Sequence, residues 1–361
     1  MNVTDTSSDQ QSHTLSEILS QPSCWNECLK QLSVSEALLS ACKLANRAAE
    51  WVLIGCGSSY YLALAAASTF NHLGLPARAV PASEILLYPD LHLSRGREFV
   101  PILISRSGLT SEVLHAARML EQERGIKTIA ITCAEGRPLE ALASVTLKLS
   151  TADEKSMVMT RSFTSMLLAL QYLAAVVRQD AGFQDALVGL PGQVSPLLQT
   201  IPGQLREFIQ AHNFVDYVFL AQGPLFGIAN EAMLKTTEAS SSYTQVFHSM
   251  EFRHGPKSIA GPGTLLAFFL SESSYQAELE VLKEMRNLGA ATLVVENVVN
   301  GRARAAADFS IELGLDTPEY ARVAAYTIWG QLVGVYTGLK KGLNPDSPKN
   351  LTHAVILDGQ H

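Results

Sequence analysis

Three charged side chains in the second half of the sequence have a spacing that suits a shared catalytic site. Glu231, Lys235 and Glu238 are separated by four and then three positions. In a helix this spacing places all three on one face, with Lys235 and Glu238 each within about 40° of Glu231. A carboxylate there can shuttle a proton, and a lysine beside it can stabilise a developing oxyanion. The same spacing is also typical of a solvent-exposed ion pair, and the helix alone favours that reading.

A histidine follows this helix in the segment FRHGPKS, sixteen residues after the last glutamate. His254 has the side-chain type whose pKa lies nearest neutrality, which suits acid–base catalysis. A Gly-Pro turn comes directly after it, and most histidines at such turns are surface or hydrogen-bonded residues. From the residues alone both interpretations stay open.

The segment ILISRSGLTSEVLHAARML has the pattern of a phosphate-binding loop. An apolar strand runs into a turn, and an amphipathic helix follows. A glycine allows a tight turn, and the free N–H groups and positive dipole end of the helix attract an anion. The candidate ligands of the phosphate are Ser105, Arg106, Ser107 and Thr110, with Gly108 at the turn. The alternative is a Ser-rich N-cap without a ligand.

A second glycine-containing loop, IGCGSSYY, follows the first predicted strand. Gly57 permits close approach of the backbone, while Ser58 and Ser59 supply hydrogen-bond donors. The loop is not a dinucleotide-binding fingerprint, because Tyr60 stands where G-x-G-x-x-G requires its third glycine.

The elements that position these loops form an alternating series of short apolar strands and amphipathic helices, which predicts α/β units with parallel sheets. The first half has the predicted strands WVLIG, FVPILIS, KTIAIT and VTLKLS, and the second half has DYVFLAQ, TLLAFFLS, ATLVVEN and DFSIEL. Val52 and Val218, like Ser105 and Ser271, are 166 positions apart, so the second half duplicates the first. In the second copy the phosphate loop reads SESSYQAE, where Glu272 would repel an anion, and one phosphate site per chain is expected.

Composition and net charge exclude several classes of function. The 361 residues carry a net charge of -7 with 47% hydrophobic residues, which fits a folded globular protein and argues against nucleic-acid binding. No apolar run is long enough to cross a bilayer, and the polar first residues do not resemble a signal peptide, so a cytoplasmic location is expected. The five cysteines are expected to be free thiols. No metal site or cofactor is indicated.

From about residue 50 onward the chain resembles the sugar isomerase (SIS) family, specifically the isomerase half of glucosamine-6-phosphate synthase. GCGSSY is similar to that family's CGTSY, SRSGLT to SQSGET, and DEKSMVMTRSFT to E-x-x-V-A-S-T-K-A-F-T. HGP and PKNLTH, similar to P-R-N-L-A-K, follow in the same order. Five motifs in one order make the resemblance specific.

The resemblance implies two tandem SIS domains, each a three-layer αβα sandwich. The expected division is a tail and helical lead-in at 1–45, a first SIS domain at 46–195, a second at 205–345, and a C-terminal tail over the active site at 346–361. The segment GLPGQVSPLLQTIPGQ between the two copies is interpreted as a linker because of its Pro and Gly content.

The resemblance also implies roles for residues. The sugar phosphate would bind at Ser59, Ser105, Ser107 and Thr110, with Arg106 where the synthase has glutamine. Gly57, Ser58, Ser156 and Met157 would line the sugar site. Glu238 would move the proton between carbon 1 and carbon 2, with Lys235 beside it, and His254 would assist ring opening from the neighbouring subunit of a homodimer.

Two departures from the family affect the expected reaction. His353 stands where the synthase has the lysine that forms a Schiff base with the ketose, and a histidine cannot form that adduct. The sequence also lacks the synthase's amidotransferase domain, so synthesis from glutamine is not expected. HTLSEILSQP, TRSFTSM and EFRHGPKS look closer to amino-sugar-phosphate deaminases and to the tagatose/galactosamine-6-phosphate isomerase group.

The predicted reaction is therefore deamination of a hexosamine 6-phosphate to a ketose 6-phosphate and ammonia. The enzymatic alternatives are an aldose–ketose phosphosugar isomerase and a fructosamine-6-phosphate deglycase. A non-catalytic sugar-phosphate sensor is the alternative from another class.

Overall fold

The computed structural model describes residues 12–45, 50–93 and 98–357. The N-terminal lead-in is helical, as predicted, and comprises α1 (His13–Leu19), α2 (Gln21–Ser33) and α3 (Glu36–Ala45). The predicted N-terminal tail lies almost entirely outside the described residues. None of the described helices is both long and apolar enough to span a membrane.

The first α/β unit follows the lead-in. Its elements are β1 (Glu50–Gly55), α4 (Ser58–His72), β2 (Ala77–Pro81), α5 (Ala82–Leu87), α6 (Pro89–His92), β3 (Phe99–Ile104), α7 (Ser111–Arg118), β4 (Ile129–Thr132), α8 (Pro138–Leu142), β5 (Val145–Lys148) and α9 (Arg161–Arg178). A π-helical turn, Met119–Glu123, continues α7.

Two helices, α10 (Ala181–Val194) and α11 (Ile201–Ala211), connect the first unit to the second. The second unit comprises β6 (Asp216–Ala221), α12 (Phe226–Ser240), β7 (Tyr243–His248), β8 (Thr264–Phe269), α13 (Tyr275–Asn287), β9 (Ala291–Glu296), α14 (Arg302–Ala306), β10 (Phe309–Glu312) and α15 (Val323–Lys340).

Each unit contains one five-stranded parallel sheet, and the two sheets have the same strand order. The first runs β2-β1-β3-β4-β5, and the second, read in the same direction, runs β7-β6-β8-β9-β10. The predicted parallel-sheet architecture and the duplication are confirmed. All eight predicted strands are present, and the two that the sequence analysis missed, β2 and β7, are edge strands.

The region interpreted as a linker is helical and lies between the two units. Residues 189–204 form the end of α10, a 3₁₀ segment and the start of α11. Pro196 and Pro202 lie in the first turns of their helical segments, where a missing N–H costs nothing and the fixed φ favours a helix. Proline content alone therefore did not identify an irregular segment.

The two sheets share one central core. Leu53 of β1 and Phe219 of β6 belong to the same cluster of buried side chains, together with residues of α4, α9, α12 and α15. The neighbouring strand residues Val52 and Val218 point to the other face of each sheet. There they pack into two separate outer clusters, which lie beneath α7 and α13. This alternation buries both faces of each sheet and produces three-layer units.

Candidate active site

A cleft of about 220 Å³ lies at the carboxyl ends of β1 and β3. The strand order of the first sheet reverses between these strands, and ligands of open parallel sheets bind at such points. Ten of the thirteen predicted site residues line the cleft: Gly57, Ser58, Ser59, Arg106, Ser107, Thr110, Met157, Lys235, Glu238 and His353.

The phosphate loop has the geometry of an anion cradle. Thr110 is the N-cap residue of α7, yet its hydroxyl makes no capping bond and lies 3.3 Å from the Ser105 hydroxyl. Ser105 in turn accepts the Gly108 N–H at 3.1 Å, which supports the turn from below. Because helix capping does not use the Thr110 hydroxyl, it remains able to donate to an anion in the cleft.

Gly108 is required by both conformation and space. Its φ is +63°, and a Cβ there would lie 2.7 Å from the Cβ of Arg137. A side chain at this position would strain the turn that presents the Ser107 and Thr110 hydroxyls.

Packing of α12 against α4 brings the second unit into this cleft. A Cβ on Gly227 would lie 2.6 Å from the Ala65 backbone nitrogen, so the two helices touch backbone to backbone. One turn further along α12, Glu231 contacts Ser58 at the start of α4. The helices therefore run antiparallel, and α12 continues beyond the first residue of α4 to place Lys235 and Glu238 in the cleft.

The three charged residues of α12 do share one face, but they differ in depth. Glu231 is fully buried and accepts a hydrogen bond from the Ser58 hydroxyl at 3.2 Å. Lys235 Nζ lies 3.5 Å from Glu231 and donates a hydrogen bond to Glu238, whose carboxylate is partly exposed to the cleft. The solvent-exposed ion pair considered above does not form, because Lys235 and Glu231 are both buried.

Burial and mutual interaction shift the pKa values of Glu231 and Lys235. It raises the pKa of Glu231 to about 8, an effect that the positive charge of Lys235 opposes. Burial would lower the pKa of Lys235, but the Glu231 and Glu238 carboxylates outweigh it, so the pKa lies above its usual value. Lys235 therefore stays charged, and it donates its hydrogen bond to the Glu238 carboxylate.

Arg106 has a different environment from the one expected. Its guanidinium donates to the Glu154 carboxylate at 3.3 Å and to the carbonyl oxygens of Met157 and His353 at 2.9 and 3.1 Å. It borders the cleft, but these acceptors already use most of its donor groups. The contacts join the phosphate loop to two segments that roof the cleft.

One of these segments is the C-terminal tail, where residues 351–355 line the cleft. The Val355 carbonyl accepts the Ser111 N–H at 3.1 Å, in the first turn of α7. His353 lies at the exposed rim, and its pKa is lowered by partial burial and by the nearby Arg106 charge. Its imidazole is consequently neutral at physiological pH.

The structure does not bring three predicted residues to the cleft. Ser105 lies beneath the loop, and Ser156 is buried with its hydroxyl donating to Glu17. His254 is exposed on a turn between two short 3₁₀ segments of the second unit, away from the cleft of its own chain. Its predicted role in a neighbouring subunit stays a prediction.

Sequence reasoning missed two carboxylates that organise the cleft, Glu17 and Glu154. Glu154 accepts hydrogen bonds from Thr160, Ser162 and Arg106 in a fully enclosed position. A glutamate followed by several hydroxyl residues was visible in DEKSMVMTRSFT, but Glu17 lies 138 positions from its partner Lys155 and left no local signal.

Comparison with known protein families identifies the first unit. Residues 44–176 match the family model described as the SIS domain. The first unit is therefore a SIS domain. Its second unit repeats the sheet order of the matched one, so the fold consists of two tandem SIS-type units.

The names of individual relatives refer to enzymes of sugar-phosphate metabolism. A Streptomyces coelicolor protein, provisionally named D-galactosamine-6-phosphate deaminase AgaS, is 27% identical over 94% of this chain and 92% of its own. A Pyrobaculum aerophilum glutamine–fructose-6-phosphate aminotransferase is 25% identical over 90% of this chain. The chain spans about half the length of such aminotransferases, 53% in that case.

Solved structures agree with this grouping. Glucosamine-6-phosphate deaminase from Thermotoga maritima superposes with a TM-score of 0.78 at 28% identity, over 96% of this chain and all of that one. A Clostridium novyi structure named as a tagatose-6-phosphate ketose/aldose isomerase has a TM-score of 0.83 at 23% identity, over 96% of this chain and 95% of that one, and supports the fold.

The second SIS-type unit contains a cradle that is already filled. Glu278 is fully buried, and its carboxylate accepts from the Ser271 N–H at 3.1 Å, from Ser274 at 2.7 Å and from Ser249 at 2.7 Å. Glu272, which the sequence analysis expected to repel an anion, instead pairs with Arg322. An internal carboxylate thus occupies the place where the first unit has its open cradle.

Proposed function

We propose that this protein is an amino-sugar-phosphate deaminase that converts a hexosamine 6-phosphate and water to a ketose 6-phosphate and ammonia. The observation that supports this most directly is the meeting, in one cleft, of a hydroxyl-lined anion cradle from the first unit with Lys235 and Glu238 from the second. A phosphate and a base for proton transfer a few ångströms away are what an aldose–ketose shift on a phosphosugar requires.

The steps follow from the positions of the side chains. The phosphate binds at Ser107, Thr110 and Ser59, at the positive end of α7. With the sugar open, Glu238 removes the proton from carbon 2, and Lys235 stabilises the negative charge that develops on the carbon 1 oxygen. Glu238 then returns the proton to carbon 1, which leaves an imine at carbon 2.

Hydrolysis of the imine completes the reaction. Water adds to carbon 2, the carbon–nitrogen bond breaks, and nitrogen leaves as ammonia while the ketose remains. His353 is neutral at the rim of the cleft, where it can accept a proton from that water. A histidine at this position, rather than an amine, is consistent with hydrolysis of a free imine and not with a lysine-bound ketose.

The comparisons add support. The two relatives named as deaminases are matched over nearly their full lengths, at 27% and 28% identity. The AgaS-type name implies galactosamine 6-phosphate and the Thermotoga name glucosamine 6-phosphate, so both are proposed as substrates for testing.

The test is ammonia release from both hexosamine 6-phosphates, followed with glutamate dehydrogenase, beside a panel of neutral aldose 6-phosphates and fructosamine 6-phosphates. Glu238→Gln should lose turnover by about a thousandfold while it still binds the substrate, since an amide cannot take the proton. Glu280→Gln, on the exposed side of α13, is the matched control and should retain wild-type activity. Conversion of only a neutral aldose phosphate would replace deamination with isomerisation, and binding without turnover of any compound would indicate a sensor.

A further inference from the structure

The N-terminal helix α1 contacts a segment that roofs the cleft. We call residues 153–159 the strap, because Met157, Val158 and Met159 line the cleft from above. Glu17 of α1 is buried and accepts the backbone N–H groups of Lys155 at 2.6 Å and Ser156 at 3.2 Å. The Ser156 hydroxyl donates to the same carboxylate. One side chain of the lead-in therefore satisfies three donors of the strap.

The first residue of the same helix contacts the C-terminal tail. Asp346 accepts the backbone N–H groups of His13 at 2.8 Å and Thr14 at 2.7 Å, and the Ser12 hydroxyl at 2.9 Å. These bonds cap the free N–H groups of α1, and they hold the pKa of Asp346 below its usual value even though burial opposes this. The tail reaches the cleft only five residues later, at Leu351.

The strap and the C-terminal tail are also both bound to the phosphate loop. Arg106 donates to the carbonyl oxygen of Met157 in the strap and to that of His353 in the tail. The roof is thus held at three points, by Glu17, Asp346 and Arg106, and two of these contacts involve α1.

We propose that Glu17 is a positioning residue for the active site. It acts through the strap: removing its charge leaves the partly buried N–H of Lys155 and the buried N–H and hydroxyl of Ser156 without a full acceptor. The strap then shifts, the Met157 carbonyl moves away from Arg106, and the tail loses its support at His353. An anchor without this role would lower stability but leave the cleft and its ligand affinity unchanged.

The experiment compares Glu17→Gln with Glu27→Gln, the same change on the partly exposed side of α2, where Glu27 accepts a hydrogen bond from Gln31 within the same helix. Backbone hydrogen exchange, followed by mass spectrometry, is expected to be about tenfold faster in both the strap and residues 351–357 of Glu17→Gln, and unchanged in the control. Calorimetric affinity for glucosamine 6-phosphate should weaken by about tenfold in the same variant. Faster exchange confined to α1 and the strap, with unchanged tail and affinity, would overturn the inference.

Asp346→Asn provides an independent test if Glu17→Gln does not fold. It should increase exchange in residues 351–357 and weaken glucosamine 6-phosphate binding, and wild-type values of both would reject a positioning role for α1. The inference rests on the proposed function only for the choice of ligand. Neither readout needs turnover, so a wild-type protein that binds the sugar phosphate without releasing ammonia would refute the deaminase and leave the role of Glu17 standing.

Discussion

The buried carboxyl of Glu231 predicts a pH dependence of stability that a single substitution should remove. In the folded protein its pKa is raised to about 8 by burial, against an ordinary value of 4.5. Between these values the folded protein keeps a proton that the unfolded chain releases. The unfolding free energy therefore falls as pH rises, by about 1.4 kcal/mol per pH unit and by at most about 5 kcal/mol in total.

Glu231→Gln has nearly the same shape and keeps the oxygen that accepts from Ser58, but it cannot ionise. The two proteins should have similar stability near pH 5, where Glu231 is neutral in the folded state. At pH 8 the variant should be more stable by a few kcal/mol, since only the wild type bears the cost of a buried charge. Other groups titrate in both proteins and cancel in the difference.

Urea denaturation followed by circular dichroism at pH 5, 6.5 and 8 measures this difference. Glu280→Gln, a change at an exposed glutamate, is the control and should show no trend with pH. A difference between wild type and Glu231→Gln that stays constant with pH would mean that Glu231 is ionised in the folded protein beside Lys235. The conclusion that burial keeps the Glu231 carboxyl neutral in the folded protein would then be wrong.

Three further predictions concern the two cradles and the assembly. Ser107→Ala combined with Thr110→Ala should raise the KM for the phosphosugar by about tenfold, because two hydroxyl donors are lost; an unchanged KM would reject the phosphate site. Glu278→Ala should lower the free energy of unfolding by about 2 kcal/mol, since several buried donors lose their acceptor, and phosphate should raise its melting temperature more than that of the wild type. Mixtures of Glu238→Gln and His254→Ala should regain part of the wild-type activity, measured as ammonia release, if each site is shared between two subunits, and none if it is not.

The central strands could be predicted from sequence because they are buried on both faces and read as continuous apolar runs. Leu265 to Phe269 of β8, for example, are all buried. Two of the four edge strands could not, since β2 (ARAVP) and β7 (YTQVFH) are largely half-exposed and mix polar with apolar residues. Edge position in a sheet depends on pairing between distant segments, which no local pattern encodes.

The residues of the candidate site also differ in how far the sequence could predict them. Ser107 could be predicted from the pattern of its loop, and Lys235 and Glu238 from their helical spacing, because both signals are local. The resemblance to the SIS family then placed the loop and the helix in one site. Arg106 was predicted to bind the phosphate as part of the loop SRSGLT, yet its guanidinium is surrounded by carbonyl oxygens and Glu154. That environment arises from segments about 50 and 250 positions away, so only the folded chain reveals it.

The duplication explains why the proposed site needs both units. Because α4 and α12 pack antiparallel, each helix extends past the start of the other and reaches the opposite unit. Glu238 near the end of α12 faces the open cradle of the first unit, and the residue 166 positions earlier is His72, the last residue of α4. His72 stacks on Tyr320 of the second unit at 3.9 Å, and Glu278 fills the cradle there. In this second arrangement an imidazole packed against a ring stands where the first has the proposed catalytic carboxylate, and an internal carboxylate stands where the proposed phosphate would bind. The second unit therefore contributes α12 to the proposed site, and the first unit contributes the phosphate loop. Neither unit alone contains the complete proposed site.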